Sequence, residues 1–212
     1  MGKHQVKKRA LWVYEQLMNE YPDVGTFLTH DGPFQLLIAV ILSAQCTDER
    51  INSVTPALFE AFPDAKAMAA ATVDEIRPFI KSVTYFNSKA KNIHETAIIL
   101  DRDYQGQVPD QLDQLVKLAG VGRKTANVVL GQAFGVPGIT VDTHVNRLSR
   151  RLGFSRQKTA EKIEKDLMSC WEIAHWTDFS SILIVHGRQV CHSRKPNCEQ
   201  CCLTEVCPRV GV

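Results

Sequence analysis

Apolar positions recur at helical spacing along nearly the whole chain. Ala10, Tyr14, Leu17 and Tyr21 fall on one face of a first amphipathic helix. Pro33 suits the opening of a second helix, whose run LLIAVIL (Leu36 to Leu42) is apolar on every side and predicts a buried element. Thr55 before Pro56 reads as an N-cap followed by a first helical residue. Thr72 with Glu75 three positions on forms a capping box ahead of VDEIRPFIKSV. Asn87 predicts the start of a long helix through Ile93, Ile98 and Leu100, and Asp110 precedes QLDQLVKL. Further helices are predicted from Arg123 to Phe134, after Asp142 through THVNRLSRRL, after Ser155 through Ile163 and Leu167, and from Trp176 to Val190. No stretch alternates as a strand would, so the chain is predicted to be all-α, with about ten short helices. GVPGI (Gly135 to Ile139) has loop composition and suits a domain junction.

One junction between helices stands apart. LAGVGRKTAN, Leu118 to Asn127, sets Gly120 and Gly122 one residue apart and follows them with Arg123 and Lys124. Short helices joined by such a turn leave backbone N–H groups free at the start of the second, and those groups bind phosphate. The same residues also suit an ordinary αα-hairpin with glycine as C-cap. Lys124 falls where a helix begins, at the positive end of its dipole. That position, neighbouring Arg123 and partial burial would each disfavour the ammonium form and favour the free amine needed for Schiff-base chemistry. A carboxylate nearby could move protons or stabilise a cationic sugar, and Asp142 in TVDTH is the candidate. The plainer alternative makes Lys124 a phosphate contact and Asp142 an N-cap.

Cysteine is concentrated at the end of the chain. Of seven cysteines, five lie within the last 22 residues. Cys191, Cys198, Cys201 and Cys207 follow the spacing C-x6-C-x2-C-x5-C, enough thiolates to enclose a tetrahedral metal or an iron–sulfur cube. A single close pair, and Pro208 directly after the last cysteine, favour a [4Fe–4S] cluster over zinc. Cys202 is surplus to this set, and Cys46 and Cys170 read as small buried hydrophobes. An odd count without a secretion signal argues for a reducing compartment.

Composition adds limits. The chain has 212 residues, room for one large domain or two small ones, and a formal charge of +2 that does not by itself mark a nucleic-acid binder. Local charge does more. Arg147, Arg150 and Arg151 share one predicted helix, and Arg188, His192, Arg194 and Lys195 crowd the first cysteine loop. Such patches suit phosphate contacts or partial balance of a thiolate-bound cluster. The longest apolar run is the seven residues from Leu36 to Leu42, far short of the roughly 20 that a membrane helix needs.

Together these features resemble the endonuclease III family, the iron–sulfur branch of the helix–hairpin–helix DNA glycosylases. LAGVGRKTANVVL looks like its hairpin and lysine motif, ITVDTHVNRLSRRLG like its aspartate motif, and the four-cysteine spacing like its cluster loop. LSAQCTDERIN and YFNSKAKNI resemble its two DNA-probing loops. The resemblance implies a two-lobed fold, with a six-helix barrel over residues 24–134 and a cluster lobe from residues 1–23 plus 135–212. It implies a bifunctional enzyme that removes oxidised pyrimidines from duplex DNA and cleaves the abasic site by β-elimination. Lys124 would form the Schiff base and Asp142 would assist base loss. Gly120, Gly122, Arg123 and Thr125 would hold a backbone phosphate. Gln45 would fill the gap left by the flipped nucleotide and Tyr85 would act as a wedge. His144, Arg194 and Lys195 would be further DNA contacts. Cys191, Cys198, Cys201 and Cys207 would hold the [4Fe–4S] cluster. A monomer in a bacterial or archaeal cytoplasm, at the nucleoid, is the expected setting.

Three positions depart from the family pattern: Ala119 stands where proline is usual, Thr84 and Tyr85 where glycine and leucine or phenylalanine are, and Cys46 where a small residue such as alanine is common. Thr84 adopts positive φ less readily than glycine, which predicts a reshaped loop. A monofunctional mismatch glycosylase of the same superfamily, acting on thymine, uracil or adenine, is one alternative, although such relatives generally lack the lysine. A non-catalytic iron–sulfur DNA-binding protein is another, and would not need Lys124 with Asp142.

Overall fold

The computed structural model describes residues 3–22 and 25–212, with side chains from Gln5 onward. The expected lobe boundary at residues 23 and 24 lies outside the described residues. The described residues form helices and loops with no strand. They divide into two compact units: Thr26–Val136, and the residues up to Gly25 together with Pro137–Val212. Each has its own hydrophobic core.

The unit from Thr26 to Val136 is built around α2 (Gly32–Ser43). All seven residues from Leu36 to Leu42 are buried, as a run apolar on every side requires. α3 (Asp48–Ala61), α6 (Phe86–Tyr104) and α8 (Arg123–Phe134) pack against it. The short helices α4 (Ala65–Ala70) and α5 (Val73–Ile76) lie on α6, and α7 (Leu112–Leu115) lies on α8. The Thr72–Glu75 capping box closes in both directions: the Glu75 amide donates to Thr72 Oγ1 at 3.3 Å and the Thr72 amide to Glu75 Oε2 at 2.7 Å. α8 begins and ends at the residues its pattern predicts.

The other unit packs α9 (Thr143–Arg151) between α10 (Ala160–Cys170) and α11 (Trp176–Gln189), and lays α1 (Lys3–Glu20) on α10 and α11. Trp171 fastens the arrangement. Its indole N–H donates to Ala10 O at 3.0 Å, its ring stacks on Phe179 at 3.7 Å between centroids, and Phe154 meets it edge-on at 4.8 Å. Asp142 caps α9, with Oδ1 accepting from the Val145 amide at 2.8 Å.

Four helix starts differ from expectation, one of them that after Asp110, where α7 begins at Leu112 with Gln111 at its N-cap and no side-chain cap bond. α3 begins at Asp48, because Thr47 caps the Arg50 amide and Asp48 and Glu49 complement the dipole of its first turn. Pro56 therefore lies inside α3, where it withholds the N–H that Asn52 O would otherwise accept. α6 begins one residue before Asn87, behind a left-handed Tyr85. Ser155 instead donates to Asp166 Oδ2 at 2.7 Å and accepts from the Gln157 amide at 3.1 Å, and Thr159 occupies the N-cap of α10.

Phe179 is fully buried within the stack. Phe179→Ala is expected to lower stability by about 3–5 kcal/mol, read from urea unfolding followed by tryptophan fluorescence.

Candidate active site and cysteine loop

The hairpin turn forms because Gly120 takes a left-handed backbone, φ 75°. A second constraint acts there. A Cβ on residue 120 would sit 2.8 Å from Asn92 Nδ2 on α6, closer than side chains tolerate. The next helical turn of α6 holds the adjoining residue, with Thr96 Oγ1 donating to Ala119 O at 2.9 Å. Gly122 differs from expectation. Its φ of −89° is open to any residue, and a Cβ there would meet nothing within 4 Å. What glycine does at 122 is leave the N-cap of α8 without a side-chain oxygen or a methyl over the first-turn amides. Arg123 and Lys124 are exposed and Thr125 is half-buried. The predicted partial burial of Lys124 is thus absent.

Gln45 and Tyr85 share a backbone state that their spacing did not announce. Among the described residues, the non-glycine residues with positive φ are Gln45 (55°), Tyr85 (57°), Gln105 and Arg209. Gln105 is an ordinary left-handed helix end after α6. Gln45 instead holds the third position of a turn closed by the Cys46 amide on Ser43 O at 3.0 Å, where glycine is usual. In the other loop the strained residue is Tyr85 rather than Thr84, and the Tyr85 side chain is 64% exposed.

Asp142 belongs to the other unit. Its Oδ1 is committed to the α9 cap, which fixes the orientation of the carboxylate. His144 is half-buried, and Arg147 Nη2 donates to its Nδ1 at 3.1 Å. Burial holds this imidazole below the ordinary histidine range, helped by Arg147 and Arg188 and opposed by Asp142. A Cβ at Gly187 would come within 2.8 Å of His144 Nδ1, so α11 needs glycine where it meets this ring.

Cys191, Cys198, Cys201 and Cys207 all line one pocket, together with Arg151 and Arg209; Cys202 is not part of that lining. Burial pushes the Cys201 thiol up to about 11, so its metal-binding thiolate form needs compensating positive charge. Among the described residues, no three His, Cys, Asp or Glu side chains converge closely enough to hold a single metal ion. The four thiols surround a space.

Two arginines expected to face phosphate point inward. Arg147 Nη2 donates to Gly187 O at 2.9 Å and to Cys191 O at 3.0 Å. Arg151, 6% exposed, donates to His192 O at 2.7 Å, to Ser193 O at 2.8 Å and to Cys191 Sγ at 3.3 Å. Their shared helix faces the loop, which carries carbonyls and a thiol in need of donors. Arg150, Arg194 and Lys195 are exposed.

Residues beyond those expectations also shape the sites. His186 is 2% exposed, with Nδ1 3.1 Å from Tyr21 Oη and Nε2 3.4 Å from Cys201 Sγ, and burial pushes it down to about 4. Lys89 is 5% exposed and reaches from α6 to the end of α2. Both sit at helical spacing within apolar stripes, and that is the signal that marks them.

The contrast between the hairpin glycines is measurable. Gly120→Ala is expected to destabilise by about 1–3 kcal/mol through left-handed strain and the Asn92 clash. Gly122→Ala should cost less, about 0.5–1 kcal/mol, through the poorer N-cap alone, since the backbone there is unstrained and nothing would meet the added methyl. Urea unfolding of both variants reads the difference.

Comparison with known proteins agrees with this arrangement. Residues 38–173 match the HhH-GPD superfamily base excision DNA repair protein family. Endonuclease III of Synechocystis sp. is 48% identical over 203 residues, covering 95% of this chain and 93% of its own length. The Bacillus subtilis enzyme of the same name is 42% identical, covering 94% of this chain and 92% of its own. A trapped endonuclease III–DNA covalent intermediate superposes with a TM-score of 0.90 at 40% identity, covering 99% of this chain and 97% of that one. The chain belongs to the endonuclease III family of DNA glycosylase/AP lyases, within the HhH-GPD superfamily of base excision DNA repair proteins.

Proposed function

We propose that this enzyme, acting as a monomer, removes oxidised pyrimidines from duplex DNA and cleaves the abasic strand with Lys124 as nucleophile. The observation that carries the reading is an exposed lysine in the first turn of a helix whose N-cap is glycine, behind a turn pinned by Asn92 and Thr96. Amides of that turn and the Arg123 and Thr125 side chains hold a backbone phosphate, as helix starts favour anions. The target nucleotide leaves the stack, since its sugar carbon is inaccessible inside a duplex. Gln45 occupies the vacated space and Tyr85 stacks against the exposed bases. His144, Arg194 and Lys195 add contacts to the DNA.

Lys124 Nζ attacks C1′. The C1′–N bond to the base breaks, and the departing base takes up a proton. The nitrogen lone pair then expels O4′ from C1′, O4′ takes up a proton, and a protonated imine joins Lys124 to C1′. The imine acidifies the C2′ proton; its removal expels the 3′ phosphate and breaks the strand. Asp142 stabilises the positive charge that grows on the sugar and handles protons with the oxygen not committed to Val145.

The cysteine loop fits a [4Fe–4S] cluster held by Cys191, Cys198, Cys201 and Cys207. Four thiols around one pocket, without convergence on a point, suit a cube better than a single zinc ion. Bound there, the cluster supplies the cross-link that orders residues 191–207. Arg151, donating to Cys191 Sγ, offsets part of its negative charge.

Borohydride reduction during reaction with thymine-glycol duplex should trap a covalent complex. Lys124→Ala should give none, while Asp142→Asn, which keeps a capping oxygen, should slow base removal by about 100-fold or more. A full adduct from Lys124→Ala would sink the lysine assignment. Cys198→Ser should lose the visible absorption of an iron–sulfur cluster and much of its iron by elemental analysis, whereas Cys202→Ser should retain both.

A further inference from the structure

Lys89 sits in the second turn of α6, and both ends of the residue are used. Its backbone amide donates to Tyr85 O at 3.1 Å, the hydrogen bond that starts the helix behind the left-handed tyrosine. Its ammonium donates to Leu42 O at 2.8 Å and Ala44 O at 2.6 Å, the carbonyls that lead into the left-handed Gln45. One residue therefore joins the two strained, exposed residues of this unit that face the same task. A lysine 5% exposed is an expensive tie between two loops unless their spacing matters. The site is also distinct from ordinary packing: the neighbours Ala90 and Ile93 fill the core with apolar atoms, as position 89 could have done.

We infer that Lys89 is a positioning residue for base excision, setting Gln45 and Tyr85 at the separation at which both enter the duplex. The inference rests on the roles proposed above for those two side chains. Lys89 touches neither DNA nor the reacting atoms. It acts through the carbonyls it holds, and through the order it imposes on two turns whose backbones would relax without it. α6 starts directly after Tyr85, and along it Lys89, Asn92 and Thr96 follow one another at steps of three and four residues, one face of the helix. The face that fixes the two wedges thus also supports the hairpin turn, through Asn92 and Thr96. Opening the stack matters most while a base must still be extruded. It matters less once the base has gone, because an abasic nucleotide has no stacking or pairing to lose.

The test compares the parent enzyme, Lys89→Met and Lys89→Arg in single-turnover reactions at saturating enzyme. One duplex carries thymine glycol opposite 2-aminopurine; the other carries a preformed abasic site. Lys89→Met keeps length and volume but no donor. It is expected to remove thymine glycol about 100-fold more slowly, as a displacement near 1 Å does, and to lose most of the 2-aminopurine fluorescence rise. Cleavage of the abasic duplex should fall less than about threefold, since its Lys124 chemistry is untouched. Lys89→Arg, which keeps donors for both carbonyls, should recover a substantial part of base removal. Parent-like excision and fluorescence in Lys89→Met would overturn the inference. So would an equal loss of both reactions in the two variants, folded or not, which would make Lys89 a general structural residue. Failure of the parent enzyme on both duplexes would instead overturn the proposed function.

Discussion

A helix buried on every side cannot leave its last carbonyls to water. α2 is such a helix, and the arrangement of the larger hairpin-bearing unit follows from how its end is satisfied. Ser43 Oγ donates to Val40 O at 2.9 Å, the Cys46 amide to Ser43 O, and the Lys89 ammonium to Leu42 O and Ala44 O. A cation at the negative end of a helix dipole is favourable, and here the cation comes from a different helix. Satisfying α2 therefore fixes α6 relative to it, and α6 in turn carries the residues that shape the hairpin. Core, exposed turns and hairpin are linked by one chain of hydrogen bonds within one unit.

The cysteine loop shows the same logic in the other unit. α9 supplies donors to the first carbonyls of the loop through Arg147 and Arg151, while His186 of α11, with Nδ1 against the Tyr21 hydroxyl, sets its Nε2 against Cys201 Sγ. The helix capped by Asp142 is therefore the helix that grips residues 191–193. Orientation of the carboxylate and order in the loop are built from one element.

Much of this was legible in the sequence, for local reasons. The capping box at Thr72, the cap at Asp142 and both ends of α8 depend on residues within a few positions of each other, and local chemistry decides them. The start of α3 was misread because Pro56 is a strong signal for a first turn, yet Thr47 with two acidic residues after it is stronger in place. Two glycines mark the turn without saying which carries the special backbone; the turn needs one, at Gly120. The inward arginines, and the carbonyls that Lys89 meets, were illegible for a different reason. Charge normally marks a solvated face, and no local pattern says which cations will meet carbonyls from a distant segment.

The left-handed backbones at Gln45 and Tyr85 carry a consequence for how this molecule divides stability from use. A side chain in that region costs on the order of 1–2 kcal/mol relative to glycine. Neither residue recovers that cost by burial, since both are exposed. Glycine at these two positions would give a sturdier chain without the two side chains proposed to enter the duplex. The sequence is thus off its own stability optimum at the surface rather than in either core, and a search for thermal robustness alone would erase these side chains first.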